Sequence, residues 1–189
     1  MTRPPGIWSC PRLVIGGVVG LLVSLPCMPG LESPITAQTI EVYYAPEDRP
    51  GDRLVELYEA ATHSIYIAAY SITYRPGVRA LVRAKERGVD VRIITDGERF
   101  KDPYQRAAME TLRRADIPIK VDRHEGRMHL KQVVVDENVN TSGSMNLTTS
   151  GNRYNDERLN VIVDPMTTAK ARKKFLDMWQ DGERYENWK

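Results

Sequence analysis

From about residue 39 onward the chain is built of short apolar segments alternating with amphipathic ones. Thr39 to Tyr44 sets Ile40, Val42 and Tyr44 against Glu41 and Tyr43. That period of two predicts a strand with the first set buried. Pro50-Gly51-Asp52 opens a helix carrying Leu54, Leu57, Tyr58 and Ala61 on one stripe. Ser64 to Ile72 is apolar at nearly every position, the pattern of a central strand covered on both faces. A second helix starts at Pro76, with Val78, Leu81 and Val82 inward and Arg79, Arg83, Glu86 and Arg87 outward. Gly88 stands where a C-terminal cap belongs. Val89 to Thr95 is a further strand. Asp102-Pro103, with Gln105 completing a capping box, starts a helix that runs to about Ala115.

Ile117 to Val121 predicts a short strand, Arg123 to Arg127 a basic turn, and Met128 to Asp136 a β-branched strand. Val139 to Gly143 returns along it. Ser144 to Asn155 is a polar loop with room for a helical turn. Glu157 to Asp164 is the last strand, and Asp164-Pro165 caps a final helix with Ala171, Phe175 and Met178 on one face. Strands alternating with helices in this way predict a layered α-β-α sandwich of the α/β class, with a mixed, mainly parallel sheet.

The first residues follow a different rule. Arg3 and Arg12 flank a start without acids, and Leu13 to Leu25 is an uncharged apolar run ended by Pro26. A bilayer-spanning helix needs about 20 apolar residues, so the run is short for an anchor and well sized for a signal-peptide core. Residues 1–37 are therefore expected to be a signal peptide, cleaved after Ala37, that exports the chain to the periplasm or medium. A short membrane anchor is the alternative. Cys10 and Cys27 both fall in this leader, so the remaining domain, 38–189, is expected to have no disulfide and no thiol chemistry. The net charge is +2, with 28% charged and 41% hydrophobic residues. That balance names no partner.

Candidate chemistry lies in three polar clusters: His129-x-Lys131 with Asp136, then Gly143-Ser144-x-Asn146, then Asn155-x-Glu157. In a regular strand His129 and Lys131 share a face, whereas Asp136 points the other way. Alone, the first cluster reads as a strand end where a histidine and a lysine reach water. Neighbouring strands lie about 4.8 Å apart, so if these segments are neighbours the clusters converge. The inventory then suits phosphoryl transfer without a metal. An imidazole can attack phosphorus and form a phospho-histidine. Lysine and asparagine can hold the non-bridging oxygens, and a carboxylate such as Glu157 can fix the imidazole tautomer. No His/carboxylate ligand set is evident, and Lys131 would repel a cation. Neither a metal nor another cofactor is expected.

His129-Leu-Lys131-Gln-Val-Val-Val-Asp136 matches H-x-K-x(4)-D, the HKD motif. With Gly143-Ser144-x-Asn146 and Glu157 after it, the chain resembles the phospholipase D superfamily, and within it the single-motif bacterial endonucleases of the Nuc type. Tyr70-Ser71-Ile72-Thr73 and Arg87-Gly88-Val89-x-Val91-Arg92 extend the likeness. The resemblance implies a phospholipase D-like fold. It makes His129 the nucleophile, puts Lys131 and Asn146 on the phosphate oxygens, and gives Ser144 and Glu157 supporting roles. Asp136, Gly143 and Asn155 would be structural members of the motif. One imidazole cannot be both nucleophile and leaving-group acid in one step. His63 and His124 lie in no second motif, so the expectation is a homodimer with one composite site.

The family acts on phosphodiesters of nucleic acids or phospholipids. Arg99, Lys101, Arg106, Arg113, Arg114 and Lys120 crowd the approach to the motif, diluted by acids; Arg123 and Arg127, tied to it by the turn, are the better substrate-binding candidates. The expected activity is non-specific endonucleolytic cleavage of DNA, with RNA as a secondary substrate. A phospholipase D or cardiolipin hydrolase is the first alternative, and a catalytically silent, dimeric nucleic-acid-binding module the second.

Overall fold

The computed structural model describes residues 38–189, so the leader, both cysteines and the point after Ala37 lie outside the described residues. In chain order the strands are β1 (Thr39–Ala45), β2 (Ser64–Ala69), β3 (Asp90–Thr95), β4 (Ile119–Asp122), β5 (Lys131–Val135), β6 (Val139–Gly143), β7 (Glu157–Val163) and β8 (Tyr185–Asn187). The helices are α1 (Pro50–Ala60), α2 (Arg75–Glu86), α3 (Pro103–Arg114), α4 (Thr149–Arg153) and α5 (Pro165–Gln180). A 3-10 turn at Gly97–Lys101 and strand β8 have no counterpart in the hydrophobic pattern.

All eight strands form one sheet in the order β1-β7-β6-β5-β2-β3-β4-β8. The mixed sheet is as expected, but it is mainly antiparallel rather than mainly parallel. Only β2–β3 and β3–β4 run parallel; the other five pairings are antiparallel. Three of the antiparallel pairings, β1–β7, β2–β5 and β4–β8, join strands that are not consecutive in the chain, and β6–β7 is antiparallel across the long connection that holds α4. A parallel return needs a crossover of a dozen or more residues, and α2 and α3 supply the two that occur. The three-residue turn between β5 and β6 forces reversal.

Helices α1, α2 and α3 cover one face. Leu54, Leu57, Leu81, Met109 and Leu112 pack there on Ile65, Ile67 and Ile93. Helix α5 covers part of the other face, where Phe175 and Met178 meet Tyr66, Ala68 and Val134. Strand β2, sandwiched between these layers, is buried at all six positions. Each fully buried Ile or Phe contributes about 1.5–3 kcal/mol. Asp164 caps α5 through Thr167 N (2.8 Å), and Asp102 caps α3 through Tyr104 N (2.9 Å).

Two expectations change. In β1 the alternation holds but the faces are exchanged: Ile40, Val42 and Tyr44 are exposed, whereas Glu41 and Tyr43 are half-buried. Strand β1 is at the sheet edge, on the part of its face that the α5 core does not reach. On the helix side, Glu41 receives Arg53 of α1 through two bonds of 2.9 and 3.0 Å. Gln105 is no capping residue either. It is fully buried and bonds Ile72 N (2.7 Å), Ser71 Oγ (3.2 Å) and Thr95 Oγ1 (3.0 Å), pinning the loop after β2 to the helix layer.

Candidate active site

Strand β5 begins at Lys131, not at Met128, because its partner β2 ends opposite it at Ala69. One further bond, Tyr70 N to Leu130 O (2.9 Å), carries the pairing past the strand end. His129 therefore stands on the extended segment that enters β5, exposed at the sheet's rim. Its approach is fixed from behind: the Met128 N–H donates to Asp96 Oδ2 (3.1 Å), and Asp96 is nearly fully buried. Burial, helped by nearby Asp122, holds the Asp96 carboxyl above its ordinary range, while the Met128 bond opposes that shift.

Lys131 does lie beside His129. Its Nζ is 3.3 Å from each imidazole nitrogen and donates to the His129 carbonyl at 2.9 Å. Partial burial depresses the Lys131 ammonium below its usual range, and the Glu157 charge opposes that shift. Tyr70 packs on both residues, its ring 4.8 Å from the His129 ring and 5.2 Å from Lys131 Nζ. Arg99 lies over the same ring at 5.5 Å.

The second and third clusters meet across β6 and β7. Ser144 N donates to Arg158 O (3.0 Å), and Arg158 N donates to Ser144 Oγ (3.1 Å). Gly143 precedes this exchange at φ 154, and a Cβ there would lie 2.0 Å from Arg158 O. Only glycine fits so close an approach. The Ser144 hydroxyl donates to Glu157 Oε2, and Asn155 Nδ2 donates to Glu157 Oε1 at 3.3 Å. Within one chain Glu157 is thus engaged by Ser144 and Asn155 and makes no bond to His129; the expected tautomer-fixing contact is not made there.

Asn146 is placed by the loop after β2. Leu147 N donates to Ser71 O (3.0 Å), and Thr73 N and Tyr74 N donate to Leu147 O (2.8 and 2.9 Å). The Asn146 Oδ1 atom is buried with no protein partner among the described residues. Helix α4, just beyond, is tied to α1 by Gly51 N donating to the buried Asn152 Oδ1 at 2.7 Å. Gln105, Asn152 and Asp96 thus position the site without belonging to any motif. Gln105 carries capping-box spacing and Asn152 lies in a polar stretch, so neither shows that role in the sequence.

Asp136 sits at the opposite end of β5 from the histidine. In left-handed conformation (φ 51), it accepts from Thr62 N (3.1 Å), Thr62 Oγ1 (3.0 Å), His63 N (2.8 Å) and Ser64 N (2.8 Å). Burial alone would raise its carboxyl; the backbone donors of Ser64, Thr62 and His63 outweigh that and hold it below the ordinary 3.8. The substrate-binding candidates fare differently. Arg123 is 3.6 Å from Glu186, whereas Arg127 is exposed and makes no ion pair among the described residues. His124 packs edge-on against Tyr185. No cluster of three His, Cys, Asp or Glu side chains among the described residues is placed to hold a metal ion.

Residues 54–179 match the family model described as "Cardiolipin synthase, PLD-like domain". The chain belongs to the phospholipase D-like family. Among its phospholipase D-like relatives, the phospholipase D of Rickettsia prowazekii is 31% identical over 126 residues, 67% of this chain and 58% of that protein. A mitochondrial cardiolipin hydrolase of Xenopus tropicalis is 29% identical over 137 residues, 71% of this chain and 63% of its own length. The chain thus spans less than two thirds of either relative. The crystal structure of Nuc from Salmonella typhimurium, a phospholipase D family member, superposes with a TM-score of 0.74 at 29% identity. That match covers 81% of this chain and 99% of Nuc. NucT from Helicobacter pylori shares the fold, with a TM-score of 0.66 at 22% identity over 76% of this chain and 97% of its own.

Proposed function

We propose that the protein is a metal-independent phosphodiesterase that cleaves nucleic acid, DNA or RNA, as an endonuclease. The observation that carries this reading is the juxtaposition of an exposed His129 with the Lys131 ammonium and the Ser144–Glu157 pair, beside a half-buried Asn146. A His129 ring nitrogen attacks phosphorus and forms the P–N bond as the P–O bond to the leaving group breaks. The leaving oxygen takes a proton from the His129 of a second copy. That imidazole, now neutral, deprotonates the water that hydrolyses the phospho-histidine, which restores both residues. Lys131 and Asn146 stabilise the non-bridging oxygens, and a cation beside Lys131 would be repelled.

The mechanism needs two imidazoles and each chain has one in the motif, so the reading includes a homodimer with a shared site. The exposed Ile40, Val42 and Tyr44 of β1 supply an uncovered apolar face for a second copy. Tyr44 pairs with Arg158 of β7, the residue that exchanges bonds with Ser144. Export through the apolar leader is part of the same reading. Similarity to Nuc over 99% of that chain supports nucleic acid as substrate. A phospholipid diester is the second reading, favoured by relatives named phospholipase D and cardiolipin hydrolase and by Leu130, exposed next to His129.

The purified protein, given single- and double-stranded DNA, RNA and cardiolipin vesicles side by side in excess EDTA, should cleave nucleic acid. Hydrolysis of vesicles alone would transfer the activity to lipid. Activity restored only by a divalent ion would overturn the phospho-histidine route.

A further inference from the structure

A groove of about 820 Å³ leads away from the site, starting where Tyr70, Asn146 and Asn155 line its near end and passing over the first turns of α2 and α3. Several arginines elsewhere on the molecule are neutralised. Arg53 is paired with Glu41, Arg83 and Arg87 with Glu59, Arg92 with Asp90, and Arg113 with Glu110. In the groove Arg99 is likewise held by Asp102 at 2.5 Å. Arg75, Arg79 and Arg153 line the same groove, are exposed, and make no ion pair among the described residues. Arg75 and Arg79 are four apart on α2 and therefore face the same way. Beside them Tyr104 is 71% exposed, and a smaller pocket of about 300 Å³ continues past it along α3.

Three guanidinium groups without an ion pair among the described residues, in one groove beside the proposed phosphodiester-cleaving centre, suit a chain of phosphates. An exposed aromatic ring among them suits a base, because stacking is available from any base face. In a duplex those faces are already covered by neighbouring base pairs, so a protruding ring reaches one only on an unpaired strand. The groove is walled largely by arginine, threonine, serine and tyrosine side chains.

We infer that this groove is a binding subsite for a single unpaired polynucleotide strand, with Arg75, Arg79 and Arg153 on successive phosphates to one side of the scissile bond and Tyr104 stacked on a base. The inference rests on the nuclease reading of the site and extends it to strand preference and substrate length.

The test compares the full-length wild type, Arg75→Ala/Arg79→Ala, Tyr104→Ala and a charge-matched control, Lys170→Ala/Lys174→Ala, which removes two exposed cations from α5 on the opposite face of the sheet. Substrates are bis(p-nitrophenyl) phosphate, single-stranded oligonucleotides of increasing length, the matching duplexes and cardiolipin vesicles. For the arginine pair, kcat/KM on long single strands should fall roughly 10- to 100-fold further than on the small diester. The salt slope of binding should lose about 1.4, at about 0.7 per phosphate contact. Tyr104→Ala should cost about 5- to 100-fold on single strands and much less on duplexes. Equal losses on all substrates, or losses matched by the control pair, would overturn the subsite and leave the nuclease reading standing. A wild type that hydrolyses vesicles but neither binds nor cleaves oligonucleotides would overturn both.

Discussion

The two ends of strand β5 carry the two halves of one signature and live in opposite environments. At the entering end, His129 is exposed, its ring nitrogens meet only the Lys131 ammonium, and the nearby Asn146 Oδ1 has no partner among the described residues. At the leaving end, Asp136 accepts from four donors and joins β5 to the turn before β2. Polar groups left without protein partners cost stability unless a ligand or water satisfies them, whereas a saturated carboxylate stabilises the fold. H-x-K-x(4)-D thus joins an open, exposed end to a saturated, structural one, and the strand's length sets their separation.

The sharpest way to break this contrast is at the His129 end. His129→Ala should lower kcat on the order of 10⁴-fold and leave the urea midpoint within error of wild type, since the ring anchors nothing in the core. Activity within tenfold of wild type would remove the nucleophile from this position. The converse substitution is Asp136→Ala. It strands the Thr62, His63 and Ser64 donors and should cost about 2–3 kcal/mol of stability, read as a lower denaturation midpoint, with kcat of the folded protein within a few-fold of wild type. A large loss of kcat at full stability would place Asp136 in the chemistry.

The smallest effect is in acid. The Asp136 carboxyl lies below its ordinary 3.8 in the folded chain, so its stabilisation is fully present above the unfolded value and is lost as pH falls through the folded one. The stability gap between wild type and Asp136→Ala should be constant near neutrality and narrow below about pH 4. A gap that widened in acid would reverse the sign of that linkage.

The site's motif residues were legible because their spacing is local. The two-residue parity of a strand separates Lys131 from Asp136, and Gly143 is required by the approach of one carbonyl. Its supports were not. Gln105 has the spacing of a capping residue, and only the packing of α3 on the loop after β2 turns it inward to hold Ser71 and Ile72. The basic residues show the same limit. Arg99, Lys101 and Arg113 stand out in the sequence, yet Asp102, Glu98 and Glu110 neutralise them. Arg75, Arg79 and Arg153, scattered over two helices, share a groove that only the fold creates.

By itself, the sequence determined most of the elements, the α/β layering and the residues of the motif, because periodicity, capping and motif spacing act over a few residues. Tertiary structure decided strand directions, because three of the antiparallel pairings join strands distant in the chain. It also decided which face of β1 is buried: the alternation of Ile40, Val42 and Tyr44 defines two faces, but not which of them a helix will cover.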